Sequence, residues 1–316
     1  MQERLEATKI GRVSTGSAFR EALLAGVPVT ERRLTLATMP TSVLVGGDGP
    51  PVVLLHGPSP NATHWRWVIP GLVGSHMIVA PDLPGHGESA ADGQLNAPRV
   101  FNWLSQLIDR TCPTPPALVG DALGGAIAAR FAARFGDRIS RLVLVNTLGL
   151  TAFQPAPALG AALQDFLAQP TEATHDHLWR HCAHDLPALQ RRIGESWATF
   201  RSYNLDRARD PDVMSAIEQL MAEFGVPAID RAELGWIKVP TTVIWGRYNL
   251  ATPLVVAEAV AARHGWPLVV IEDCAGDPSV EQPEALVAAL GAAIPATAAA
   301  SPPQADLPPR TPAPSR

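Results

Sequence analysis

The sequence predicts an α/β protein: a mostly parallel sheet of eight strands flanked by helices, with an all-helical segment inserted after strand six. Three observations predict it. Short, continuously apolar, β-branched runs such as Val52–His56 and Arg141–Asn146 are typical of strands buried on both faces. Helical stretches such as Pro98–Arg110 and Leu123–Phe135 separate these runs, and such alternation builds a parallel sheet covered on both sides. The strand signal then vanishes from about Phe153 to Ile237 and returns afterwards.

In chain order, residues 1–30 form a polar lead-in with one short helix around Ala18–Ala25. Residues 31–150 hold the first part of the core. Its strands are Arg33–Thr38, Ser42–Gly46, Val52–His56, Met77–Pro81, Ala117–Gly120 and Arg141–Asn146. Residues 151–237 read as several helices broken by Pro155, Pro157, Pro170, Pro187, Pro211 and Pro227, since proline ends helices. Residues 238–294 complete the core with strands Thr241–Trp245 and Leu268–Glu272 and helices Pro253–His264 and Pro283–Ile294. The stretch 295–316 holds seven prolines in 22 residues, a composition expected of a disordered tail.

The chain has 316 residues, 47% hydrophobic and 17% charged, enough apolar material for a large core. A formal charge of −5 gives no basic face for nucleic acid or anionic lipid. Cys112, Cys182 and Cys274 are too widely spaced for a disulfide framework or a C-x-x-C metal pair, so a reducing compartment is expected. The charged opening MQERLEATKI lacks a signal peptide's apolar core, and no apolar run nears the ~20 residues of a membrane span. A cytoplasmic protein without membrane or nucleic-acid partners is the expectation.

Five motifs then carry a family resemblance. VVLLHG (52–57) is a strand ending in His-Gly, and VAPDLPGHGES (79–89) is a strand leading into a Gly-rich loop. LVGDALGGAIAARFA (118–132) is a strand, a sharp turn and a helix, and VPTTVIWGRYNLATP (239–253) with VVIEDCAGDPSVEQPEAL (269–286) complete the order. Together they resemble the α/β-hydrolase superfamily with a helical cap, over about residues 31–294. Gly120 and Gly124 supply the room that the family's nucleophile elbow needs, and Gly125 lets the following helix approach the sheet.

The resemblance also assigns positions, and the chemistry at each has changed. The nucleophile falls on Ala122, whose methyl cannot attack. The acid falls on Asn249, and an amide cannot stabilise an imidazolium as a carboxylate does. The histidine falls on Asp277, after Gly276. Asn146, where some members place the acid, is an amide too. The oxyanion donors implied are the N–H groups of Leu123 and of the residue after His-Gly, here Pro58, which has none. Unless Ser59 substitutes, that loss costs roughly 3–4 kcal/mol of transition-state stabilisation.

Asp277 has two readings. Facing Ala122 under a cap, it would serve as a general acid or base with a raised pKa; otherwise it caps the turn before Pro278. Asp121 reads as a polar residue behind the elbow, and His56, Asp82 and His86 as loop-fixing groups. Trp65 and cap aromatics including Trp179 are expected pocket walls beside His56 and Asp121. His177, His181 and His184 share a helix face, but the outer two are about 10 Å apart along the axis, too far for one zinc ion. No metal site and no cofactor is assigned, and GGDG (46–49) precedes a strand instead of opening a helix.

The functional expectation is a cap-covered pocket for a small hydrophobic molecule without serine-hydrolase chemistry. The protein would be a silent binder, or a lyase, isomerase or cyclase using Asp277. The alternative is a hydrolase of a small ester- or amide-like substrate working through non-standard residues.

Overall fold

The computed structural model describes residues 15–296. The opening MQERLEATKI and nearly all of the proline-rich 295–316 stretch lie outside the described residues. A single eight-stranded sheet organises the chain in the order β1-β2-β4-β3-β5-β6-β7-β8. Its strands are β1 (Thr30–Leu36), β2 (Met39–Gly46), β3 (Pro51–Leu55), β4 (Met77–Pro81), β5 (Ala117–Asp121), β6 (Arg141–Val145), β7 (Thr241–Gly246) and β8 (Leu268–Ile271). The β1–β2 and β2–β4 pairs are antiparallel and the remaining five are parallel.

β1 begins and ends earlier than its sequence suggests. Ala37 and Thr38 take positive φ of 48° and 74° and form the tight turn into β2. Two consecutive residues in that region match the twist of a two-residue hairpin, so Thr38 cannot stay in the strand.

The central strands alternate between two cores with period two, as strand geometry requires. Val53, Leu55, Leu118, Leu142, Leu144, Val243 and Trp245 face one core. Val52, Leu54, Val119, Val143, Val145 and Ile244 face the other. Ala97–Thr111 and Leu123–Phe135 cover the first face, while Ile69, Leu72, Leu286 and Leu290 cover the second.

Between β6 and β7 there is no strand. Helices Pro157–Ala168, Glu172–Cys182, Leu186–Ile193, Ser196–Ala208 and Pro211–Leu220 fill the interval, followed by a short π-helical turn at Met221–Gly225 and a last helix at Arg231–Gly235. Trp179, Ala183, Leu186, Leu189, Ile193, Trp197 and Phe200 form a small core of their own, and Val280 of the main body completes it. No helix among the described residues is long and apolar enough to cross a membrane.

Candidate functional site

The site is built around the turn from β5 into the helix Leu123–Phe135. Ala122 holds φ 46° and ψ −108°, a conformation non-glycine residues adopt only under compulsion. The compulsion is visible: Ala122 N–H donates to Val145 O at 3.0 Å, and its carbonyl accepts from Leu148 N and Ala126 N, both at 3.1 Å. Glycines make the crossing possible. A Cβ on Gly124 would overlap the Leu55 carbonyl oxygen and sit 2.6 Å from that of His56, and one on Gly120 would overlap Gly124 itself. The elbow therefore has the geometry that presents a nucleophile and carries a methyl there.

Asn249 is buried and spends its side-chain oxygen on its own loop, accepting from Ala251 N at 2.9 Å and Thr252 N at 3.2 Å. Asn146 ties two strand ends together. Its oxygen accepts from Gly246 N at 2.9 Å, and its amide donates to Ala275 O and Gly276 O at 3.1 and 3.0 Å. Both amides hold loops. Asp277 caps the short turn Pro278–Glu281, accepting from Val280 N at 3.2 Å and from the Ser279 hydroxyl at 2.8 Å. Its carboxylate also lies 3.7 Å from His64 Nε2, so capping and facing a partner coexist.

On the opposite wall, Leu123 N–H has no acceptor among the described residues and starts a helix, where amides are free to meet an anion. Pro58 withholds its donor, and its carbonyl faces His86 Nε2 at 2.8 Å. Ser59 is exposed and bonds to nothing described. His56 fixes this loop from beneath. Its Nε2 accepts from Leu83 N at 2.9 Å, so Nδ1 carries the proton toward Gly57 O at 2.8 Å. Burial, reinforced by His86, pushes its pKa well down and keeps it neutral.

Asp121 looks forward, not behind the elbow. A Cβ on Gly57 would lie 3.2 Å from Asp121 Oδ2 and 3.5 Å from the Ala122 methyl. The same Oδ2 is 3.4 Å from His64 Nε2, and Asp121 Oδ1 is buried with no hydrogen-bond partner. His64 Nε2 in turn lies 2.9 Å from the Ser279 hydroxyl. The bonds run one way: imidazole N–H to Ser279, and Ser279 O–H to Asp277. His64 is thus the node of the site. Burial pulls its pKa down, but the charge of Asp277 and the adjoining Asp121 carboxylate outweigh that, and the net shift is upward. Asp121 is shifted upward by burial, with His64 opposing. His64 and the Asp121 carboxylate therefore titrate together as one buried group.

Sequence motifs point to neither His64 nor Ser279, which are 215 positions apart. His64 sits in the 3₁₀ turn Ala62–Trp65, opened by Asn61, whose side chain accepts from Thr63 N. That turn aims His64 at the elbow and puts its neighbour Trp65 elsewhere. Trp65, expected as a pocket wall, is fully buried in the second core with Val52 and Leu54. Trp179 packs edge-on to Trp197 and Phe200 inside the helical insertion.

Glu281 joins the insertion to the loop that carries Asp277. Its buried carboxylate accepts from His184 N at 2.6 Å, Ala275 N at 3.0 Å and Asp277 N at 3.0 Å. Gly276 N–H adds a bond to Cys182 O at 2.9 Å. Burial raises the Glu281 pKa from 4.5 to about 7 despite those donors. A raised carboxyl pKa means the folded state binds the extra proton. This group's stabilising contribution is therefore full below pH 4.5 and is lost as pH rises toward about 7. The wild-type melting temperature minus that of Glu281→Gln should fall across that interval and level off above it. A difference that is flat with pH, measured by calorimetry, would place the titration elsewhere.

Comparison with known proteins agrees with this architecture. The family model described as alpha/beta hydrolase fold matches residues 50–282. An uncharacterised protein of Mycobacterium tuberculosis is 28% identical over 270 residues, covering 76% of this chain and 73% of its own. The 2-hydroxy-6-oxononadienedioate/2-hydroxy-6-oxononatrienedioate hydrolase of Klebsiella pneumoniae is 28% identical over 244 residues, covering 72% and 81%. Among solved structures, the 2-hydroxy-6-oxo-6-phenylhexa-2,4-dienoate hydrolase of Rhodococcus sp. strain RHA1 superposes with a TM-score of 0.73 at 25% identity. It covers 84% of this chain and 98% of its own.

Proposed function

The chain belongs to the α/β-hydrolase fold family, and from that premise we propose that it works without a covalent nucleophile, moving a proton on a small, largely apolar molecule. One observation carries this reading. His64 Nε2 lies 3.4 Å from Asp121 Oδ2 and 3.7 Å from Asp277 Oδ1, in a site whose elbow residue is Ala122. Two carboxylates beside one imidazole stabilise the imidazolium and make His64 the group that can give and take the proton. Ser279 orients the ring, Asp121 and Asp277 supply charge, and Leu123 N–H is the one elbow donor for a developing enolate or alkoxide oxygen.

Hydrolysis is the second reading, favoured by the relatives' names and by the Ser279 hydroxyl at 2.9 Å from His64 Nε2. Against it, Ser279 is 1% exposed and hydrogen-bonded to Asp277. A nucleophile needs a free, reachable oxygen.

A fluorophosphonate probe should leave the protein unlabelled. With 2-hydroxy-6-oxo-6-phenylhexa-2,4-dienoate as a test dienol in D₂O, wild type should catalyse ketonisation with deuterium incorporated at carbon and no benzoate released. His64→Ala should lose at least about 10²-fold in that rate. A stoichiometric adduct, or benzoate release abolished by Ser279→Ala, would transfer the assignment to the hydrolytic reading.

A further inference from the structure

A second candidate site lies beside the segment that carries His64. A depression of about 340 Å³ opens between the helix Thr15–Leu24, the segment following the His64 turn, and the helix Ser196–Ala208; Leu23, Val27, Arg66, Trp67, Ser196 and Thr199 line it. We propose that this depression binds a small organic carboxylate, with Arg66 as the group that receives it.

Arg66 is 5% exposed, and the central carbon of its guanidinium sits over Trp67, 3.5 Å from the ring centroid. Phe200 closes the approach at 5.4 Å. Nη1 donates to Thr63 O at 3.1 Å, but Nη2 is buried with no hydrogen-bond partner among the described residues. A buried guanidinium with an idle donor is costly, because desolvation is repaid only by a bonded counter-charge.

No such counter-charge is in place. Arg66 makes no salt bridge among the described residues; Asp277 acts on it only through its field. Arg192 adds a second positive charge at 5.6 Å from the same Trp67 ring. Burial lowers the Arg66 pKa to about 9, which still leaves it cationic at neutral pH. The charge deficit therefore calls for an anion.

The rest of the lining selects the kind of anion. The Ser196 and Thr199 hydroxyls stand three residues apart on one helix, on neighbouring surface positions, and supply further donors. Leu23 and Val27 add apolar contacts beside these donors, room for the small organic body that carries a carboxylate. A planar carboxylate also matches the guanidinium fork. This site goes beyond the proton-transfer reading and stands or falls without it.

Isothermal titration of the full-length protein with sodium benzoate, ionic strength held constant with sodium chloride, tests the assignment. Wild type should bind benzoate saturably and more tightly than inorganic phosphate. Arg66→Met, which keeps the bulk and removes the charge, should weaken benzoate at least tenfold. Thr199→Trp, which fills the depression and leaves Arg66 in place, should do the same and decides the matter if Arg66→Met does not fold. Absence of saturable benzoate binding, unchanged affinity in either folded variant, or phosphate binding as tightly as benzoate would overturn the proposal.

Discussion

Gly124→Ala should destabilise the protein by at least about 4 kcal/mol and lower its melting temperature by roughly 10 °C. The added methyl has nowhere to go. It would overlap the Leu55 carbonyl oxygen and lie 2.6 Å from that of His56, both of them backbone atoms of the central strand and the loop after it. Moving them would break the Gly124 N–H bond to His56 O and disturb the β3–β5 ladder. Gly291→Ala is the control with the opposite sign. Gly291 lies in the helix Pro283–Ala293 with nothing within 4 Å of its missing methyl, so alanine there should add up to ~1 kcal/mol. Scanning calorimetry of both variants checks the pair. A Gly124→Ala protein melting within ~2 °C of wild type would mean that strand and helix are not in contact at the elbow.

The second large effect concerns dormant ester chemistry. The triple variant Ala122→Ser, Asn249→Asp, Asp277→His should turn over p-nitrophenyl acetate only feebly, because Leu123 supplies an oxyanion N–H and Pro58 supplies none. Adding Pro58→Gly should raise the rate by about 10²–10³, the equivalent of roughly 3–4 kcal/mol. Asp277→His also removes the cap on Val280 N, which should cost about 1 kcal/mol of stability without affecting the comparison between triple and quadruple. Equal rates for those two would show that the Pro58 position never limited the reaction.

The eight strands and the elbow were legible because their signals are local. Apolar runs, turn residues and glycine spacing all act within a few positions, and Asp-Pro at 277–278 announced the cap that Asp277 forms. The cluster around His64 was not legible. His64 and Ser279 meet only after the sheet has brought the loop behind β3 beside the turn after β8, and no short spacing encodes that meeting. Trp65 was read by its proximity in sequence to the oxyanion loop. His64 turns its Nε2 toward Asp121 and Ser279, while Trp65 packs edge-on beside it into the second core. The side chain just before the elbow residue normally points away from the pocket, which is why Asp121 reads as lying behind it, whereas its carboxylate reaches forward past Gly57, where the absent side chain leaves room.

The bonds from Gly276 N–H to Cys182 O and from His184 N–H to Glu281 have a kinetic consequence. Helical insertion and Asp277 loop are joined by main-chain donors, and Val280 is embedded in the insertion's own core. The insertion therefore cannot swing aside as a free lid while the loop stays still. Any opening of the insertion away from that loop must break both bonds and withdraw Val280 together, one concerted event and not a free swing.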